Sequence, residues 1–159
     1  MNMIAYPKKN KAQLIARMRG HREADELVRR IIWKSNGQAQ GCFIDCLFHD
    51  YDHDRWPGEI GGHVQLAYLA EWLFENLPSR HLEFPERVLA AISEGADLSQ
   101  VWPQWCQRML GRAVGRIVGD ESWAVECRAA VNGVITLFRD GVTTETARAA
   151  KAVARAAVT

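Results

Sequence analysis

Between Gly41 and Asp54 the chain gathers two cysteines, two histidines and four acidic residues. Read as a helix from Gly41 or Cys42 to about Asp52, this stretch places Cys42, Cys46, His49 and His53 on one face, at steps of four, three and four. Imidazoles on a face that should pack need metal, acid or water partners. Three readings fit. Neutral histidines and carboxylates suit a divalent Mn, Fe or Zn ion, and His49 and His53 have the spacing by which one helix chelates zinc. Asp50 would then sit where a general base is needed, with Glu59 or His63 as a third ligand. Alternatively, Cys42 at a helix start would have a lowered thiol pKa and act as nucleophile. His21, His49 or His53 would serve as base, and Gln38 or Gln40 would help build an oxyanion site. In the third reading the segment is structural. Cys42 and Cys46 pack beside Phe43 and Leu47, His49 and His53 meet a helix C-terminus, and His21 pairs with Asp25.

The elements that must position these groups read as helices throughout. Lys8 to Lys34 carries the stripe Leu14, Met18, His21, Asp25, Val28 and Ile32, ending at Ser35-Asn36-Gly37. After the Gly41–Asp52 helix, Pro57 should keep Trp56 out of helical geometry. Further helices are expected over His63–Leu77, Phe84 to about Gly95, Leu98–Val118, Ser122–Phe138 and Thr144–Val158. The last is Ala-rich, with Arg148, Lys151 and Arg155 on one face. No stretch alternates with a period of two, so the expected fold is all-α, a compact single domain (1–159) of six or seven helices. The site falls in residues 1–100, and 101–159 supply the C-terminal helices.

Four of the residues above fit a known pattern. His21, the adjacent pair His49-Asp50 after an apolar run, and Asp97 in Gly95-Ala96-Asp97-Leu98 resemble the motif of the HD-domain phosphohydrolases, an all-α superfamily. The resemblance implies a metal held by His21, His49, Asp50 and Asp97, whose bound water attacks phosphorus, with His53 and His63 available to a second ion. Gly41 to Pro78 also resembles a set of uncharacterised bacterial proteins, mobile-element ones among them. It shares their Gly41-Cys42, Cys46, His49, Asp52-His53 and Leu73-Phe74-Glu75-Asn76-Leu77-Pro78 runs, without implying a particular chemistry.

The remaining features narrow the class. A formal net charge of +1 gives no global field for nucleic acid or anionic membrane. No apolar run is long enough to span a bilayer. The start, with Lys8, Lys9 and Lys11, lacks the apolar stretch of a signal peptide, and four cysteines in such a chain read as reduced thiols, so the expected address is cytoplasmic. Trp102 and Trp105 lie three apart as a core pair or, if exposed, a partner surface. Trp56 would lid a pocket or plug a bundle end. Arg108, Arg112 and Arg116 form a ridge for phosphate, an acidic partner or solvent. The first expectation is therefore a metal-dependent hydrolase of a phosphorylated small molecule or nucleotide. A non-catalytic bacterial or phage accessory protein that binds a protein partner is the alternative, and a thiol hydrolase using Cys42 is the third.

Overall fold

Phe43–Phe48 form a six-residue helix, α2, in which every residue is buried, Asp45 included. A helix apolar on all sides belongs at a centre, and α2 packs against both α1 (Lys11–Glu23) and α4 (Gln65–Asn76). The computed structural model describes residues 3–29, 40–78, 81–141, 145, 146, 148, 149 and 152. Among them are seven α-helices and no strand beyond two isolated bridges, Ile4 with Asp97 and Leu27 with Gly41. The remaining helices are α3 (Trp56–Glu59), α5 (Phe84–Ala91), α6 (Val101–Val114) and α7 (Ser122–Asp140). The fold is all-α, as the absence of two-residue alternation implies.

The chain divides into two compact units, Met1–Ser99 and Gln100–Thr159. In the first, the core gathers around Phe43, whose ring lies 6.3 Å from Trp56, 6.4 Å from Phe74 and 6.3 Å from Phe84. Leu14 and Met18 of α1 join it as the helical stripe requires. Glu86 of α5 accepts from Arg19 (3.1 Å) and Arg22 (2.6 Å), and Lys11 donates to the Ala90 and Ile92 carbonyls, where a cation suits a helix end. These ties hold both ends of α1 against α5 and the residue that follows it. The N-terminal segment runs between the Ile60–Gly62 turn and Ala96–Leu98. Gly61 sits there at φ 94°, where a Cβ would come within 2.3 Å of the Ile4 carbonyl oxygen, so glycine is required.

In the second unit α6 and α7 pack on each other, and Gln107 donates to the Phe138 carbonyl. Cys106 and Ala124 are buried. Arg108, Arg112 and Arg116 are exposed, but Arg116 lies beyond the end of α6, so the expected ridge is not continuous along one helix. Trp102 and Trp105 stack with centroids 5.2 Å apart. No helix among the described residues is long and apolar enough to cross a membrane.

Three expected elements need correction. The first helix ends at Glu23 rather than running to Lys34: Asp25 takes φ 56°, and the chain turns into the Leu27–Gly41 bridge. Asp25 is therefore exposed and does not pair with His21, which takes Glu26 instead. The second helix stops at Phe48 because His49 adopts the left-handed conformation, φ 55°, so His49 and His53 do not share a helix face. Trp56 is helical despite Pro57, which occupies the first turn of α3 where its missing N–H costs nothing. Trp56 is also buried against Phe43; it plugs the core and lids nothing. Ile32, Lys34, Ser35-Asn36-Gly37 and Gln38 lie outside the described residues. So does most of the segment expected to form the final helix, Lys151 and Arg155 included; within it the described residues Glu145, Thr146, Arg148, Ala149 and Ala152 are helical.

Candidate functional site

Both ends of α2 carry polar clusters. At the C-terminal end, the packing of α1 on α2 brings His21 and His49 together, with their Nε2 atoms 3.0 Å apart and the rings edge to face. One nitrogen must donate and the other accept, so a single proton occupies the contact. Glu26 Oε2 lies 2.6 Å from the other nitrogen of His21, Nδ1. A carboxylate there fixes the ring's tautomer and orientation. Glu26 is placed by the backbone: its N–H donates to the His21 carbonyl, and its own carbonyl accepts from Gly41. Burial lowers the pKa of His49, and the positive charges of Arg17, His21 and Arg55 lower it further, so the neutral imidazole is favoured.

At the N-terminal end of α2, Cys42 is the capping residue, with its sulfur 2.8 Å from Glu71 Oε1 and 3.4 Å from Asp45 Oδ2. The other Glu71 oxygen lies 2.6 Å from His53 Nε2 and accepts from the Tyr51 hydroxyl at 3.2 Å. Tyr68 stacks flat on the His53 ring at 4.0 Å, and Tyr51 meets it edge-on at 4.9 Å. Asp45 is wholly buried, and its Oδ1 has no partner among the described residues.

This environment reverses the expected state of Cys42. The thiol does sit at a helix start. Burial nevertheless drives its pKa strongly up, the Asp45 backbone N–H offsets only part of that, and the Glu71 and Asp45 carboxylates add to the rise. Cys42 is a protonated donor to Glu71, not a thiolate nucleophile. Cys46, donating to the Gly41 carbonyl, is pushed up to about 12 by burial and by the charges of Asp45 and Glu26.

The residues expected at one metal centre are thus divided. His21 and His49 meet. Asp50 is exposed beside them. Asp97 is exposed in the bridge to Ile4, where its carboxylate accepts from the Ser99 N–H at 2.8 Å and is held below its ordinary range by that bond. His53 belongs to the Glu71 cluster. His63 accepts from the Gln65 N–H at the start of α4. Among the described residues no group of three or more His, Cys, Asp or Glu side chains is gathered to hold a metal ion. The four-ligand set that the resemblance implies is therefore not assembled, although the two imidazoles and the carboxylate behind one of them are.

Glu26 and Glu71 are the functional groups that sequence reasoning passed over. Glu26 was hidden by the expectation of an unbroken first helix. Glu71 had a usable signal: it falls on the buried stripe of α4 with Ala67, Ala70 and Phe74, where an acid requires a partner. No family model, no curated protein and no solved structure matches the chain.

Proposed function

We propose that the first unit is a hydrolase of phosphorylated small molecules whose reactive groups are His21 and His49. The observation that carries this reading is the 3.0 Å contact between the two Nε2 atoms with Glu26 on the far nitrogen of His21. Two imidazoles sharing one proton are a ready acid–base couple. His49, kept neutral by its surroundings, takes a proton from the attacking water. His21, oriented by Glu26 on its far nitrogen, gives one from its Nε2 to the departing oxygen. An oxygen entering between the rings replaces one N···N contact with two N···O contacts. Of the four implied metal ligands only His21 and His49 come together, and the proton transfers need no group beyond the two imidazoles.

The test is phosphate release from a panel of phosphate monoesters, beginning with p-nitrophenyl phosphate, with and without EDTA. Wild type should turn over at least one ester in EDTA. His21→Ala and His49→Ala should each lower kcat by about 10²–10⁴. If no ester is hydrolysed, or if the variants equal wild type, the reading is wrong. Activity that vanishes in EDTA and returns with manganese or zinc transfers the site to the metal-dependent mechanism.

A second reading, a protein that binds a partner, is favoured by the exposure of Trp72 (60%) and Trp123 (62%). Large aromatics anchor interfaces. A Trp123→Ser or Trp72→Ser chain with unchanged hydrolysis but a changed sedimentation coefficient in the presence of a candidate partner would support it.

A further inference from the structure

A cleft of about 270 Å³ in the first unit is lined by Lys8, Asn10, Arg17, Arg55 and Glu59, over the apolar side chains of Leu14 and Phe48. Three cations face one carboxylate there, an excess of two positive charges. Glu59 is the hub of the polar wall. It accepts from Lys8 at 2.7 Å and from Asn10 Nδ2 at 2.9 Å, with Arg55 at 3.6 Å. Burial pushes its carboxyl up, but Lys8 and Arg55 more than reverse this and hold it below its ordinary value.

The two arginines are pre-set. Arg17 donates through one terminal nitrogen to the Leu47 carbonyl at 2.6 Å, and Arg55 does the same to the Phe48 carbonyl at 2.7 Å. Arg55 also lies over the Phe48 ring. The bland account is that both merely satisfy the last carbonyls of α2. That task uses one N–H of each guanidinium, and the donors left over belong to a planar fork already oriented for an anion. It also leaves the excess charge without an explanation. A second polar demand sits in the same wall: Asn10 Oδ1 is buried and has no partner among the described residues. Its amide orientation is set by the Nδ2 bond to Glu59, so the oxygen asks for a donor.

We infer that this cleft binds a small phosphate monoester, the dianion held by Arg17, Arg55 and Lys8 and a neighbouring hydroxyl of the same molecule donating to Asn10 Oδ1. Two features favour phosphate over a carboxylate ligand. Two uncompensated positive charges match a dianion, and paired guanidiniums match its several oxygens. The volume suits a phosphate on a short hydroxylated chain and is below the usual range for larger cofactors. Neither histidine lines the cleft, but the charges of Arg17 and Arg55 both bear on His49, whose chain neighbour Phe48 is part of the wall. As a substrate seat the inference rests on the hydrolase reading; as an anion site it stands on the cleft alone.

The experiment is calorimetric titration of the full chain at low ionic strength with inorganic phosphate, methyl phosphate and glycerol 1-phosphate. Saturable binding is expected that weakens with added sodium chloride, with glycerol 1-phosphate tighter than methyl phosphate. Lys8→Ala, an exposed change that should leave folding intact, should weaken binding about three- to tenfold, and Arg55→Gln by about tenfold or more. Glu59→Gln, which removes the opposing charge, should tighten it. That opposite sign cannot come from simple misfolding. Absence of saturable binding in both wild type and Glu59→Gln would overturn the inference, as would binding indifferent to Lys8→Ala and Arg55→Gln. The two readings fail separately. Phosphate binding without ester turnover removes the hydrolase and keeps the cleft. Turnover whose KM ignores Lys8→Ala and Arg55→Gln removes the cleft as substrate seat.

Discussion

His49 shows how a residue's surroundings set its chemistry. Its pKa lies below the ordinary 6.5 because burial, Arg17, His21 and Arg55 all disfavour the imidazolium. Above pH 6.5 neither the folded nor the unfolded chain carries this proton, and His49 makes no pH-dependent contribution. As the pH falls below 6.5 the unfolded chain takes the proton first, so the group progressively destabilises the fold until the folded pKa is passed. His81, lowered by burial and by Arg29, acts with the same sign. Glu59 and Glu86, both held low, lose their contribution only in more acid solution, below 4.5. Urea midpoints should therefore drop between pH 7.5 and 5.5, and His49→Gln should drop less. Parallel pH dependences in the two proteins would refute this account. The inward place of His21 was legible in the sequence, since it continues the stripe of Leu14 and Met18, whereas its meeting with His49 was expected only through the family resemblance, as two ligands of one metal. The place of Asp97 was not legible. A carboxylate two residues ahead of a backbone N–H caps its own turn as readily as it binds metal, and sequence spacing does not separate the two.

At the scale of the element, α2 carries the argument. Six of the seven helices, all but the short α3, and their approximate places followed from periodicity, but the ends of α1 and α2 depended on single left-handed residues. Asp25 and His49 stop α1 and α2 without a glycine, and polar residues such as these enter that conformation too rarely to be read from sequence. The stop after Phe48 turns His49 toward His21 and sends His53 to Glu71, so an error of four residues in one helix end divides one imagined site into two. Because all six residues of α2 are buried, the geometry of both clusters depends on its packing. Phe43 touches three aromatic rings from three other helices. Phe43→Ala should cost about 3–5 kcal/mol, seen as a large drop in urea midpoint. Such a loss is a substantial share of a domain's total stability. A loss below about 1 kcal/mol would mean that α2 is not the centre of the core.

For the whole molecule, the question is which residues the site needs in order to exist. The continuous buried cluster runs from Ala5 to Leu98 and includes no residue of α6 or α7. The cleft residues, the His21–His49 pair and the Glu71 cluster all fall in the same span. All of them lie within the compact unit that ends at Ser99. If the cluster is sufficient, a chain truncated after Ser99 should unfold in one cooperative transition. It should also keep helical circular dichroism and retain the pH-dependent difference between wild type and His49→Gln. A truncated chain without a cooperative transition would show that the first unit cannot hold α2 by itself. A cooperative transition with the His49 difference lost would be more specific: the core would stand alone while the charge environment of the histidine pair would not.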